Sequence, residues 1–391
     1  MSRPLRVDPA LKQYATTRQA EIIDAVIETG SVRGASRKLG IQFSYISRAV
    51  KAAQRNAAFA GYAPDHDLTH PVAPPFIVKG TSTLYGEDGQ LKAQWVKTKL
   101  DDNQSLQLVK EWIESLTDEV RGKSPRIAPP ARTSSDLLAA YPYGDPHFGL
   151  YAWGEETGDD FDLNIADSVM CGAIDRLIAC APETDTALVI FLGDTFHAND
   201  QSNLTPGHRH QLDVDSRYPK VILAGIKAAR HIILRALTKH RRVVVRAEPG
   251  NHDPQAVWAL VFALAAYFEN DDRVIIDLSP SKFWYYSFGK VLIGTTHGDT
   301  VKHETLPGVM AADRPMEWGA AKHRYWYTGH VHHQAVREFA GVTCESFRSL
   351  VGKDAYAAGH GYRSGRDLYC IVHHKDHGEI ERHRCDIGML K

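Results

Sequence analysis

The chain has 391 residues, too many for one ordinary hydrophobic core, so two or three domains are expected. Apolar residues make up 43% and charged residues 24%, the balance of an ordinary globular chain rather than a disordered or membrane-embedded one. The net charge of -1 hides an asymmetry: residues 1–61 hold ten Lys/Arg against four Asp/Glu, a local +6, and the remainder carries -7. A basic arm on a mildly acidic body suits an arm that meets nucleic acid and a body that meets metal. Five scattered cysteines, with no Cys-x-x-Cys pair, argue for reduced thiols and a cytoplasmic setting. The N-terminus lacks the apolar stretch of a signal peptide, and the longest apolar run, Ala256 to Phe268, is too short to span a bilayer.

In chain order, residues 17–55 read as three helices. The first, Arg18 to Thr29, gathers Ile22, Ile23, Ala25, Val26 and Ile27 and ends at Gly30. Ser31 caps a short second helix that Gly40 ends, and a third begins near Ser44 with Ile46, Val50 and Ala53 at helical spacing. A small residue in helix two, glycine in the turn and a buried aliphatic after it follow helix-turn-helix grammar. The Gly30-Ser31, Ala35, Leu39, Ser44, Ser47-Arg48 pattern resembles the N-terminal domains of LysR-type bacterial regulators. Gln42, Ser44, Tyr45, Ser47, Arg48 and Lys51 would then form a polar, basic face toward DNA. The alternative is a plain three-helix bundle used for dimer contact, which would make a homo-oligomer.

Phe76 to Tyr85 and Gln90 to Lys99 read as two strands joined at Gly86–Gly89. A helix is expected from Gln104 to about Val120, then a Pro-rich linker, 124–135. This divides the chain into a helix-turn-helix domain (1–61), a hairpin, helix and linker (62–135), and a large domain (136–391). In the last, helices at 165–179, 218–240 and 255–268 alternate with strands before a strand-rich half. That order suggests two sheets packed together with helices outside, a four-layer αββα sandwich behind an N-terminal all-α domain.

Five short segments, each after an apolar run that reads as a buried strand, carry the chemistry. They are Asp145-Pro-His147, Gly193-Asp194, Gly250-Asn251-His252-Asp253, His297-Gly298-Asp299 and Gly329-His330-Val331-His332. Loops at strand ends are where an α/β scaffold concentrates function. Two Asp, one Asn and four His converging there would hold two divalent cations, because carboxylate and amide oxygen with imidazole nitrogen suit such ions. Of the other histidines, His333 reads as a packing or surface residue rather than a ligand, and His373, His374, His377 and His383 read as solvated.

These five segments, in this order, resemble the calcineurin-like metallophosphoesterases. The resemblance implies that Asp145, His147, Asp194 and His332 ligate one metal and Asp194, Asn251, His297 and His330 a second. It implies that a metal-bridging hydroxide attacks a phosphoester while His252, oriented by Asp253, stabilises or protonates the leaving oxygen. The continuation Gly193-Asp194-Thr195-Phe196-His197 is similar to the SbcD-type nuclease branch, in which the residue matching His197 helps position DNA and Mn²⁺ is the usual metal; Zn²⁺, Fe²⁺ and Ni²⁺ stay open. The chain departs from that branch in having only about 60 residues after His332 and an unrelated N-terminal extension. The combination with a helix-turn-helix looks like phage- and prophage-encoded metallophosphoesterases, which would act in a bacterial host cell. Two readings follow: a DNA nuclease delivered by its N-terminal domain, or a small-molecule phosphodiesterase or phosphatase whose N-terminal domain serves assembly.

Overall fold

A computed structural model describes residues 7–72, 76–86, 88, 90–100 and 121–390. The helix expected from Gln104 lies outside them. The chain forms two compact units, Met1–Trp112 and Ile113–Lys391. Among the described residues no helix is long and apolar enough to cross a membrane.

In the first unit a 3-10 turn, Pro9–Tyr14, leads into helices α1 (Thr17–Thr29), α2 (Val32–Leu39) and α3 (Phe43–Phe59). Thr16 and Gln19 form a reciprocal capping box at the start of α1, and Ser31 caps α2 through the Gly34 amide. Gly30 and Gly40 end these helices in the left-handed conformation, as their sequence positions predict. Ile22, Ile23, Val26, Ala35, Ile46, Val50 and Ala53 close the core. The hairpin pairs β1 (Phe76–Tyr85) antiparallel with β2 (Leu91–Leu100).

In the second unit, residues 122–127 lie along its body rather than hanging free. The Gly122 amide donates to Ala266 C=O at 2.8 Å, and the Arg273 guanidinium donates to Ile127 C=O at 2.6 Å. The elements then run β3 (Ser134–Tyr143), α4 (Leu163–Cys180), β4 (Thr184–Phe191), α5 (Tyr218–Leu237), β5 (Arg242–Ala247), α6 (Val257–Tyr267) and β6 (Val274–Ile276). After them come β7 (Trp284–Phe288), β8 (Val291–Thr295), α7 (Leu306–Asp313), α8 (Pro315–Ala320), β9 (His323–Thr328), β10 (Ala335–Phe339) and β11 (Val342–Ser346). The chain finishes with α9 (Ala355–Gly359), β12 (Asp367–His374) and β13 (Gly378–Asp386). One sheet has the order β13-β12-β3-β4-β5-β6 and the other β10-β11-β9-β8-β7.

The pleat of β4 shows how the layers form. Ala187, Val189 and Phe191 face the helices α4, α5 and α6, while Leu188, Ile190 and Leu192 face the second sheet. The inter-sheet layer adds Leu138, Ala140, Trp284, Ile293, Tyr327 and Phe347. On the outer face of the second sheet, Leu306 and Met310 of α7 cover Leu292 and Trp326. Each large side chain so buried contributes roughly 1.5–3 kcal/mol. The result is helices, sheet, sheet, helices, the four layers that the element order predicts.

One expectation fails inside this core. His373 is fully buried rather than solvated, because β12 is an interior strand between β13 and β3. Its Nε2 lies 2.7 Å from the Tyr327 hydroxyl, and burial pushes the imidazole down to about 3, so it is neutral. His383 also has a carboxylate neighbour, Glu381 at 3.2 Å.

Candidate metal centre

The strands β3, β4 and β5 run parallel, as do β8 and β9, so their carboxyl ends deliver the five segments to one rim. The turns there are forced. Asp145, His147, Asp194, His330 and His332 all have positive φ, between 41° and 70°, a region that bulky side chains rarely adopt. Backbone strain at five non-glycine residues in one place persists only where the surroundings over-determine it. The neighbouring glycines show why the space is tight. A Cβ on Gly250 would collide with the Asp194 carboxylate and amide, and one on Gly329 would sit 2.7 Å from Asp145 Oδ2.

Asp145 is fully buried, and both of its carboxylate oxygens lie 2.9 Å from the His330 amide. Its Oδ1 is 3.8 Å from His332 Nε2 and 3.7 Å from His297 Nδ1. Asp194 Oδ1 accepts from the His252 amide at 2.7 Å, which leaves Oδ2 facing 3.3 Å from His297 Nε2 and 3.9 Å from His147 Nε2. His297 donates from Nδ1 to Leu192 C=O at 2.8 Å, so Nε2 points inward, 2.9 Å from Asn251 Oδ1. A carbonyl on the far nitrogen is a common way of aiming an imidazole at a metal. His147 Nε2 and His332 Nε2 face each other at 3.1 Å.

Ligand-type atoms therefore fall into close groups: Asp145, His147 and His332; Asp194, His297 and His330; and His147, His197 and His252. Asp194 Oδ2 stands between the first two groups. The electrostatics fit a cation there. Burial pushes His147 well down, His332 to about 4 and His197 to about 3, so these three imidazoles are neutral. Burial also lifts the Asp145 carboxyl, to about 8. Burial acting alone would lower His297, but Asp194 and Asp145 beside it hold it up, at about 10. Burial would raise Asp194, yet the His297 charge keeps it well below the usual carboxylate range. Protons are doing poorly what a divalent cation does well, and the donor set of carboxylate, amide and imidazole fits such ions.

The remaining catalytic candidates sit differently. His252 is half-buried and donates from Nδ1 to His197 C=O at 2.8 Å, so that carbonyl orients it and leaves Nε2 free. Asp253 does not serve this role. Its two oxygens accept from the Phe196 and Gly250 amides at 3.0 Å each, because the carboxylate is folded back under the rim, where it ties the Asp194 loop to the Asn251 loop. Burial raises it to about 7. His197 is 2% exposed and presents no face to a DNA strand. It backs His147, Nδ1 to Nδ1 at 3.3 Å, while its buried Nε2 has no hydrogen-bond partner. Asp299 lies 3.5 Å from Lys282 Nζ. His333 is exposed, as expected.

Sequence reasoning missed Ser349, whose hydroxyl donates to Asp145 C=O at 2.6 Å and pins the strained turn. Its signal was faint: it follows β11 as the motifs follow their strands, but carries no ligand-type group. In the first unit Gln42, Ser44, Tyr45, Arg48 and Lys51 are exposed around the start of α3, and Ser47 is half-buried.

No family model matches the sequence, and no curated protein matches it. Among solved structures the chain is similar to a predicted phosphoesterase from Streptococcus pneumoniae TIGR4, at 12% identity and a TM-score of 0.27, covering 64% of this chain and 98% of that one. It is similar to an archaeal phosphodiesterase at 14% identity and a TM-score of 0.31, covering 64% and 99%. It is also similar to Zn²⁺-complexed Vps29 from Entamoeba histolytica at 13% identity and a TM-score of 0.25, covering 64% and 99%. At such identities and scores, the chemistry has to be read from the side chains themselves.

Proposed function

We propose that this protein is a dinuclear-metal phosphodiesterase, and that its substrate is DNA brought to the site by the N-terminal helices. The observation that carries the chemistry is Asp194 Oδ2, held between His147 and His297 by a backbone amide on its other oxygen. Asp145, His147, Asp194 and His332 would hold one cation; Asp194, Asn251, His297 and His330 would hold the other. Two bound cations supply an acidified water and charge neutralisation for a phosphoryl group. Around them, Leu192 C=O fixes the His297 tautomer, His197 backs His147, and Asp253 locks the two loops. His252, with Nδ1 tied to a carbonyl, can present Nε2 to a leaving oxygen and hold or deliver a proton there. Mn²⁺ is the ion we propose, from the resemblance to the SbcD-type branch.

The exposed Arg48 and Lys51 on α3, within the basic first 61 residues, support delivery to duplex DNA. The test is incubation with Mn²⁺ and single-stranded, duplex and nicked DNA beside bis-p-nitrophenyl phosphate. If the helices grip DNA, Arg48→Ala with Lys51→Ala flattens the salt dependence of binding, by about 0.9 in log–log slope for each phosphate no longer neutralised, and slows duplex cleavage. A double variant that binds and cuts duplex as the parent does favours a small-molecule phosphodiesterase with helices serving assembly.

A further inference from the structure

Immediately after His147 the chain builds a second feature that the metal chemistry does not use. Leu150 donates its amide back to His147 C=O at 3.0 Å, and Tyr151 donates its own to Asp213 C=O at 3.1 Å. A cavity of about 170 Å³ opens there, lined by Tyr151, Trp153, Glu156, Thr157, Asp213 and Ala355. By volume it holds about five or six waters, the scale of a single heteroaromatic ring system rather than a dinucleotide. Tyr151 and Trp153 remain 42% and 55% exposed, large ring surfaces left open to solvent. The far wall belongs to α9, where Tyr356 is 63% exposed and packs at a tilt of 33° on His360, ring centroids 4.1 Å apart.

The cavity adjoins the metal centre. Tyr151 is four residues from His147, at most about 14 Å of extended chain, which the turn at Leu150 shortens. Asp354, the cap of α9 next to Ala355, is raised mainly by burial and is near enough to feel the charges of both Asp213 and His252. The lining chemistry narrows the occupant. Two carboxylates, Glu156 and Asp213, repel a phosphate but accept from N–H groups, while flat aromatic faces favour stacking. A planar ring bearing an exocyclic amine meets both demands.

We infer that this cavity is a nucleobase subsite, taking the base next to the phosphodiester held at the metals. The inference rests on the phosphodiesterase reading for its direction, yet binding in the cavity stands independently of turnover. Adenine, guanine and cytosine, which carry exocyclic amines, fit the acidic lining better than thymine. The shared chemistry could come from a single-stranded end or from a free nucleotide.

The probe is the 5′-monophosphate of 2-aminopurine deoxyriboside, whose emission is quenched on stacking, titrated into the full chain in EDTA. Saturable quenching is expected, competed by dAMP but not by deoxyribose 5-phosphate. Trp153→Ala should weaken binding about 5- to 150-fold, the usual value of one stacked base, with Trp153→Phe recovering part of it. Asp213→Asn with Glu156→Gln should narrow the preference for dAMP over dTMP. Competition by deoxyribose 5-phosphate equal to that by dAMP, or unaltered binding in Trp153→Ala, overturns the subsite. Tighter binding of a short oligo(dA) than of dAMP identifies a strand as the source, and equal binding a mononucleotide. A second arm, with Mn²⁺, compares cleavage of a dinucleotide with that of its abasic counterpart. Quenching without cleavage keeps the subsite and removes the phosphodiesterase reading; quenching with cleavage indifferent to the base keeps that reading and the cavity's base binding, and overturns the placement of the base next to the phosphodiester at the metals.

Discussion

The buried histidines of the second unit are of two kinds. His240, three residues past α5, has Thr184 Oγ1 2.7 Å from Nδ1 and the Tyr141 hydroxyl 2.8 Å from Nε2. The Thr184 hydroxyl donates to Thr186 C=O at 2.7 Å, so it accepts from Nδ1–H, and the Tyr141 hydroxyl donates to Nε2, which satisfies the neutral ring at both nitrogens. At the rim, His147 meets His332 at one nitrogen and His197 at the other, and His297 meets two side-chain oxygens at Nε2. Nitrogen facing nitrogen at 3.1 Å makes a single N–H···N hydrogen bond, whereas a cation between the two rings would take both lone pairs. A structural histidine is recognised by partners that suit it alone, and a ligand histidine by partners that suit a third body.

If that contrast is sound, removing the charge between the rim imidazoles should have the largest effect of all. Asp194→Asn should lose both metals and roughly 10³-fold or more in turnover, since each ion loses its anionic bridge. Metal analysis of the purified variant beside bis-p-nitrophenyl phosphate hydrolysis decides it, and two retained ions with retained activity would sink the assignment. His252→Ala should keep both ions while turnover falls about 10²–10⁴-fold, the range for one positioned acid. Metal loss in that variant would instead promote the group of His147, His197 and His252 to a ligand set.

A milder break leaves every ligand in place. Gly250→Ala drives a methyl group into both Asp194 Oδ1 and the Asp194 amide, so the Asp194 turn must shift and carry its carboxylate with it. Metal affinity should fall by about 10–100-fold, as when a supporting group of a metal site is lost. Gly40→Ala on the same chain meets nothing within 4 Å and carries only the strain of its positive φ, about 1 kcal/mol. Equal metal binding in the two variants would mean that the rim is looser than its strained turns imply.

These tests also mark what the sequence could and could not convey. The ligand types were legible because each follows a strand whose apolar run is unambiguous, and parallel strands put their carboxyl ends on one rim. The capping residues Ser31 and Gly40 were legible because their chemistry is local. Asp253 was misread because adjacency along a chain suggested contact with His252, whereas the turn sends the carboxylate back to two amides. His373 was misread because it lies at the end of its strand in a polar stretch, and only the sheet order reveals that the strand is interior. The aromatic cavity was invisible, since residues 151–157, 213 and 355 meet only through tertiary structure.

The smallest effect tests the structural half of the comparison. Burial holds His240 at about 3 in the folded chain, against an ordinary value of 6.5. Between those values the unfolded chain carries a proton that the folded chain lacks, so acid favours unfolding. The stability that neutral His240 contributes is complete above about 6.5 and is lost progressively as pH falls toward 3. From pH 7 to pH 5 that amounts to about 2 kcal/mol, at about 1.4 kcal/mol per unit below the unfolded value. Denaturant unfolding in EDTA, which removes any stabilisation by bound metal, should show a parent that loses stability over this interval. His240→Gln, which cannot take up a proton, should start lower at pH 7 for want of a well-fitted ring, yet lose about 2 kcal/mol less on acidification. An identical loss in parent and variant would mean that His240 is as free to ionise as a surface imidazole, and that its two hydroxyl partners do not distinguish it from the histidines of the rim.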